Sequence, residues 1–162
     1  MIILGIDPGP EESAMVALDA PHMDIYWAVH KPNAEVRGLL VELVPSPDVV
    51  VVEWIGNYGI AVGASVFDTC RWVGRFEERV RPRKFVLLQR PTIKARLCGT
   101  VRAKDSNVRQ ALIDRFPPTS KGSVPQIGTK KFPGPLYAIT KHCWAALAVA
   151  VAWWEIQQET KP

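Results

Sequence analysis

Asp7 and Glu53 are the residues whose types and settings invite chemistry. Residues 2–6 are apolar or Gly, and the chain then turns at once through Asp7, Pro8, Gly9 and Pro10. A buried strand that ends in a carboxylate at a tight turn holds the side chain rigidly while leaving it open to a ligand. Four consecutive valines, Val49 to Val52, lead in the same way to Glu53. If those strands are neighbours, both carboxylates emerge at one edge of an α/β sheet, where such sheets build their sites. Singly, either acid also serves as a turn or capping residue. As a pair they suggest a divalent-metal site, because hard cations such as Mg²⁺ take carboxylate oxygens and keep waters. Two carboxylates with a third group from a helix can hold two ions about 4 Å apart across a phosphodiester.

The elements that must position these acids follow an α/β order. Residues 2–6, 14–18, 24–29, 49–52 and 85–88 read as strands, the second and third as a hairpin. Helices are expected over 33–44 with Asn33 as N-cap, over 63–79, 92–97 and 105–116 with Asp105 as N-cap, and from Thr140 to about Gln157. Residues 117–135 hold five prolines, three glycines and three lysines. They read as a mobile basic loop, bounded at about 117–138, within one domain spanning 1–162.

The 162 residues, 48% hydrophobic, suit one domain with a real core. The longest apolar run, Cys143 to Trp154, is 12 residues. A bilayer span needs about 20, so no membrane association is expected. Cys70, Cys98 and Cys143 are odd in number and widely spaced, and no secretory leader is visible, which points to reduced thiols in a cytoplasm. Between Arg71 and Arg109 stand twelve Lys or Arg against three acids, a local excess of +9, while the rest of the chain is at −5. Such a concentration suits a phosphate-binding face, although a charge run alone equally makes a solvated helix surface.

Five segments carry a family resemblance: GIDPG at 5–9, VVVE at 50–53, PTIKARLCG at 91–99, KDSNVRQALIDRF at 104–116 and HCWAALAVA at 142–150. In this order and at these separations they resemble the RuvC family of Holliday-junction resolvases, most of all the short phage-encoded RuvC-like enzymes. The resemblance implies an RNase H-like, retroviral-integrase-type fold, a mixed five-stranded sheet with helices on both faces. It also implies a homodimer in a bacterial or phage-infected cytoplasm that nicks two strands of a four-way DNA junction with Mg²⁺ and needs no organic cofactor.

The family's four ligands carry over unequally. Asp7 and Glu53 match the two strand acids; on the last helix His142 matches the first of a pair one turn apart, and Ala145, which cannot ligate, matches the second. An imidazole ligand suits Mn²⁺ at least as well as Mg²⁺, and His142 would alternatively deprotonate the attacking water. If His142 ligates as neutral imidazole, activity should fall below about pH 6.5. Asp105 is an alternative third acid beside its N-cap role. The implied reaction is in-line hydrolysis with two ions, leaving 5′-phosphate ends. Lys104 falls where the family carries a basic residue near the scissile phosphate. Arg71, Arg75, Lys94 and Arg102 are candidate backbone contacts, and Trp54 and Tyr58 flank Gly56, where the family inserts a base-stacking aromatic. Two symmetric nicks need a two-fold dimer, for which Val66, Cys70, Val73 and Phe76 are one candidate face and core packing the competing use.

Overall fold

The computed structural model describes residues 1–56, 62–119 and 122–160. The apolar runs become five strands, β1 (Ile2–Asp7), β2 (Glu12–Asp19), β3 (Asp24–Pro32), β4 (Val49–Trp54) and β5 (Lys84–Gln89), in one sheet of order β3-β2-β1-β4-β5. The β1–β2 and β2–β3 pairs are antiparallel hairpins, while β1–β4 and β4–β5 are parallel. Parallel neighbours need crossovers, and α1 (Asn33–Leu39) and α2 (Ala64–Val80) supply them across one face. The other face is covered by α3 (Arg90–Cys98), α4 (Asp105–Arg115) and α5 (Cys143–Glu159).

Strand alternation separates the two cores. Leu4, Ile6, Val50 and Val52 face Val36, Leu40, Val73, Phe76 and Val80 on the α1/α2 side, whereas Ile3, Val49 and Val51 face the α5 side. Among the residues of β1 on that side Gly5 stands out. A Cβ there would lie 2.1 Å from the Ala146 carbonyl oxygen, so the glycine lets α5 rest on the strand backbone. The far side of α5 is tied to α3 and α4 by Arg96 and Arg115, which both ion-pair with Glu155.

Several boundaries differ from expectation. The helix expected over 33–44 stops at Leu39, because Leu40 and Leu43 turn inward to the core. Asn33 is not its cap; its side chain instead donates to the Gly9 carbonyl. Asp105 is not the cap of α4 either, since Lys104 holds that position and its backbone N–H donates to Asn107 Oδ1 at 2.9 Å. The final helix starts at Cys143, with His142 at its N-cap. Val73 and Phe76 belong to the core, so the proposed dimer face on α2 loses half its members, and Val66 and Cys70 are left half-buried. Among the described residues of 117–138, Leu136 is buried and isolated bridges join Thr119 to Val124 and Gly128 to Pro133. No helix among the described residues is long and apolar enough to cross a membrane.

Candidate functional site

One row across the sheet builds the site. Ile6 pairs with Val52, so Asp7 and Glu53 follow side by side at the carboxyl ends of β1 and β4. Both continue the parity of Ile3, Gly5, Val49 and Val51, so both project toward α5. The same row continues through Ala14, opposite Asp7, to His30, opposite Ala14. The turn after Asp7 is held firmly. Gly9 N–H donates to Ser13 Oγ at 3.3 Å, Ser13 Oγ donates to Asn33 Oδ1 at 2.5 Å, and Asn33 Nδ2 donates to the Gly9 carbonyl at 2.9 Å. A Cβ at Gly9 would sit 2.4 Å from the Glu12 carbonyl oxygen, so only glycine fits there.

The Asp7 carboxyl is pushed up from 3.8 to about 7, first by burial and then by the Glu53 charge. Asp105 pushes in the same direction, and Arg90 only partly offsets them. Arg90, the first residue of α3, donates from Nη1 to Glu53 Oε1 and from Nη2 to Asp105 Oδ1, both at 2.7 Å. Burial works against the charge of this guanidinium, but its two carboxylate partners outweigh it and raise its pKa. Lys94 also reaches Asp105, at 3.6 Å. Burial opposes ionisation of Asp105, yet Arg90 and Lys94 together hold it below the usual carboxylate range.

Two recesses flank these acids. A cavity of about 110 Å³ lies between α3, α4 and α5, bounded by Glu53, Arg90, Lys94, Asp105, Arg109, Lys141 and Trp144, with Ala145 and Ala148 as its apolar side. Arg109 lies over the Trp144 ring, 4.8 Å from its centroid. On the other side of Asp7 a groove is lined by Glu12, His30 and His142. The His30 and His142 rings stack with centroids 4.3 Å apart, and His30 Nε2 is 3.5 Å from the Glu12 carboxylate. Burial first, then His30 and Lys141, push the His142 pKa below its ordinary value, which keeps the imidazole neutral at neutral pH.

The structure therefore brings Asp7, Glu53, Asp105 and Lys94 into one neighbourhood and sets His142 against Asp7 on the groove side. His142 and Ala145, expected on one helix face toward a common ion, instead line different recesses. His142 is the N-cap of α5 and Ala145 lies in its first turn. Lys104, the N-cap of α4, and Arg102, two residues before it, are exposed. Trp54, one residue past Glu53, takes the opposite parity and packs, partly buried, against the α1/α2 core. Arg71 and Arg75 lie on α2 across the sheet from α5, and Arg75 stacks on Trp72 at 4.5 Å. Tyr58 lies outside the described residues.

The basic run between Arg71 and Arg109 does not make one face. Arg81 pairs with Glu77, Arg83 bonds Ser46, Lys84 covers Trp153, and Arg96 is taken up by Glu155 and Glu159. Arg90, Arg109, Lys141 and His30 are site residues that the sequence reading did not single out. Arg90 directly follows β5, the third parallel strand, and His30 lies level with Asp7 through the hairpin registers; strand order and register were the signals available.

Among the described residues no three His, Cys, Asp or Glu side chains form a ready coordination shell. The chemistry of the donors nonetheless fits a hard divalent cation. Asp7 and Glu53 present paired carboxylate oxygens whose mutual repulsion is visible in the raised Asp7 pKa and would be relieved by positive charge. Asp105 offers a further carboxylate, joined to Glu53 through Arg90, which bonds both.

No family model matches the chain, and no curated protein does. Solved structures do. A structure described as Thermus thermophilus RuvC aligns with a TM-score of 0.73 over 99% of this chain and 98% of that one, at 16% identity. A second, T. thermophilus RuvC in complex with Holliday junction substrate, aligns with a TM-score of 0.68 over 99% and 96%, at 15% identity. The mixed sheet, the helices on both faces and this likeness over nearly the full length give the chain a RuvC-like, RNase H-like fold.

Proposed function

We propose that this chain is a metal-dependent endodeoxyribonuclease that resolves four-way DNA junctions as a homodimer, with Mg²⁺ as its cation and Mn²⁺ supporting activity. The observation that carries this reading is the pair Asp7 and Glu53, level at one sheet edge and facing α5 beside a cationic cavity. It is strengthened by a fold shared with a protein solved on a Holliday junction substrate. Asp7 and Glu53 would hold the cation, with Asp105 or His142 completing the set. A cation there would polarise a phosphodiester and lower the pKa of a bound water. Lys94, Arg109 and Lys141, joined by Lys104 and Arg102 at the rim, would bind backbone phosphates, which position a strand without reading its sequence. Trp144, under Arg109, offers an aromatic face at the cavity, and Tyr58, five residues after Glu53 in sequence, remains the proposed base-stacking residue.

The test is cleavage at equal salt of a four-way junction, a flap, a fork, an RNA–DNA hybrid and plain duplex, with Mn²⁺. Paired symmetric nicks at the junction are expected, at rates at least about tenfold above the other substrates. Faster cutting of the flap, fork or hybrid would move the activity to that substrate. Junction binding without cutting would make the chain a shape-reading protein.

The pKa of Asp7 sets the pH dependence of cation binding. Below about pH 7 its carboxyl holds a proton that a cation must displace. Mn²⁺ affinity should therefore rise about tenfold per pH unit up to that point and flatten above it. Titration of the protein with Mn²⁺ between pH 5.5 and 8.5, followed by electron paramagnetic resonance, measures this. A pH-independent affinity would remove Asp7 from the cation site.

A further inference from the structure

Arg90 occupies the two carboxylates that a divalent cation would also seek. Its planar fork spans Glu53 and Asp105 with one bond of 2.7 Å to each, a bidentate bridge that no other side chain makes so well. The two ends differ. The Glu53 side chain is 11% exposed and held by strand β4, whereas the Asp105 side chain is 75% exposed at the first turn of α4. One end of the bridge is therefore anchored and the other opens easily to water. A guanidinium touching Glu53 and a dication touching Glu53 repel each other across a short distance in a partly dry site. Beside Arg90 lies the cavity of about 110 Å³ lined by Lys94, Arg109 and Lys141, whose charges would receive an anion together with a released guanidinium.

We propose that Arg90 is an internal counter-ion that competes with the divalent cation for Glu53 and Asp105, and that cation binding releases its guanidinium into the adjacent cavity to grip a DNA phosphate. Arg90 thus couples loading of the cation to engagement of the strand. The inference rests on the nuclease reading above. A static role, in which Arg90 simply fastens β4 to α4, predicts different behaviour for its variants.

The experiment compares Mn²⁺ affinity, thermal melting with and without Mn²⁺, and junction cleavage for the full chain and its Arg90→Gln and Arg90→Lys variants at pH 8. If Arg90 competes, Arg90→Gln binds Mn²⁺ about tenfold more tightly, melts lower in chelator, and recovers most of that loss when Mn²⁺ is added. Its kcat for cleavage falls at least about tenfold, because the released charge no longer meets the phosphate. Arg90→Lys, whose single ammonium cannot bridge both acids, lies between wild type and Arg90→Gln in affinity and serves if Arg90→Gln does not fold in chelator. Unchanged or weaker Mn²⁺ binding in these variants overturns the proposal and leaves the static role. If wild type and Asp7→Asn bind Mn²⁺ equally, the nuclease reading itself fails, a result distinguishable from the first because it does not involve Arg90.

Discussion

Replacing Asp7 by Asn should abolish junction cleavage and at the same time make the protein more stable. The loss of activity follows from removing one of two carboxylates that would hold the cation, and is expected to reach at least about 10³-fold with junction binding retained. The gain in stability follows from the raised pKa. Between pH 3.8 and about 7 the folded protein holds a proton on Asp7 that the unfolded chain releases, so the unfolded state binds fewer protons and stability falls as pH rises through that window. Three pH units correspond to about 4 kcal/mol, and because Asp7 is only half-buried, water on its open side reduces this to about 2–4 kcal/mol. Asn at position 7 escapes that penalty. Its melting temperature at pH 8 should exceed wild type by roughly 5–10 °C, and the gap should close at pH 4. Added Mn²⁺ should stabilise wild type and leave Asp7→Asn unmoved. A variant that is inactive and also less stable at pH 8 would mean that the carboxyl has a structural role in place of the catalytic one.

The second large effect lies away from the acids. Gly5→Ala puts a methyl group where the nearest atoms are the Ala146 carbonyl oxygen at 2.1 Å and Ala150 Cβ at 3.0 Å. Backbone cannot rotate aside as a long side chain can, so α5 must lift from β1. The expected cost is about 3 kcal/mol, and the melting temperature should fall by roughly 6–12 °C. The helix that lifts carries His142 at its cap and Ala145 in its first turn, both beside the acids. Cleavage should therefore fall by about 10² even at temperatures where the variant is fully folded, since a misplacement near 1 Å is enough. Wild-type melting together with wild-type cleavage in Gly5→Ala would contradict the close packing of α5 on this strand.

Much of this architecture was legible because its signals are local. The valine run before Glu53 and the apolar run before Asp7 each announce a buried strand ending in an acid, and the hairpin of β2 and β3 reads from its alternation and breaks. The boundaries that moved did so where tertiary partners outweighed local preference. Asn33 is a good cap by type, yet the Gly9 carbonyl claims its side chain; Asp105 is another, yet Arg90 and Lys94 draw its carboxylate away. The bridge that Arg90 makes was invisible because it depends on three segments meeting, the end of β4, the start of α3 and the start of α4. His30 was hidden in the same way, since its stacking on His142 follows from two successive strand registers and the small Ala14 between. The basic run misled because a count along the chain ignores that α2 and α3 lie on opposite faces of the sheet. The raised pKa of Asp7 was likewise not legible, because it comes from burial and from Glu53, a neighbour 46 residues away in sequence.

The most direct measurement is the position of Mn²⁺ in a crystal of the wild-type chain, located by its anomalous scattering at pH 8. The account predicts a peak within coordination distance of carboxylate oxygens of both Asp7 and Glu53, weakened or lost in Asp7→Asn crystals grown alike. A peak confined to Glu12, His30 and His142, or none near Glu53, would contradict it.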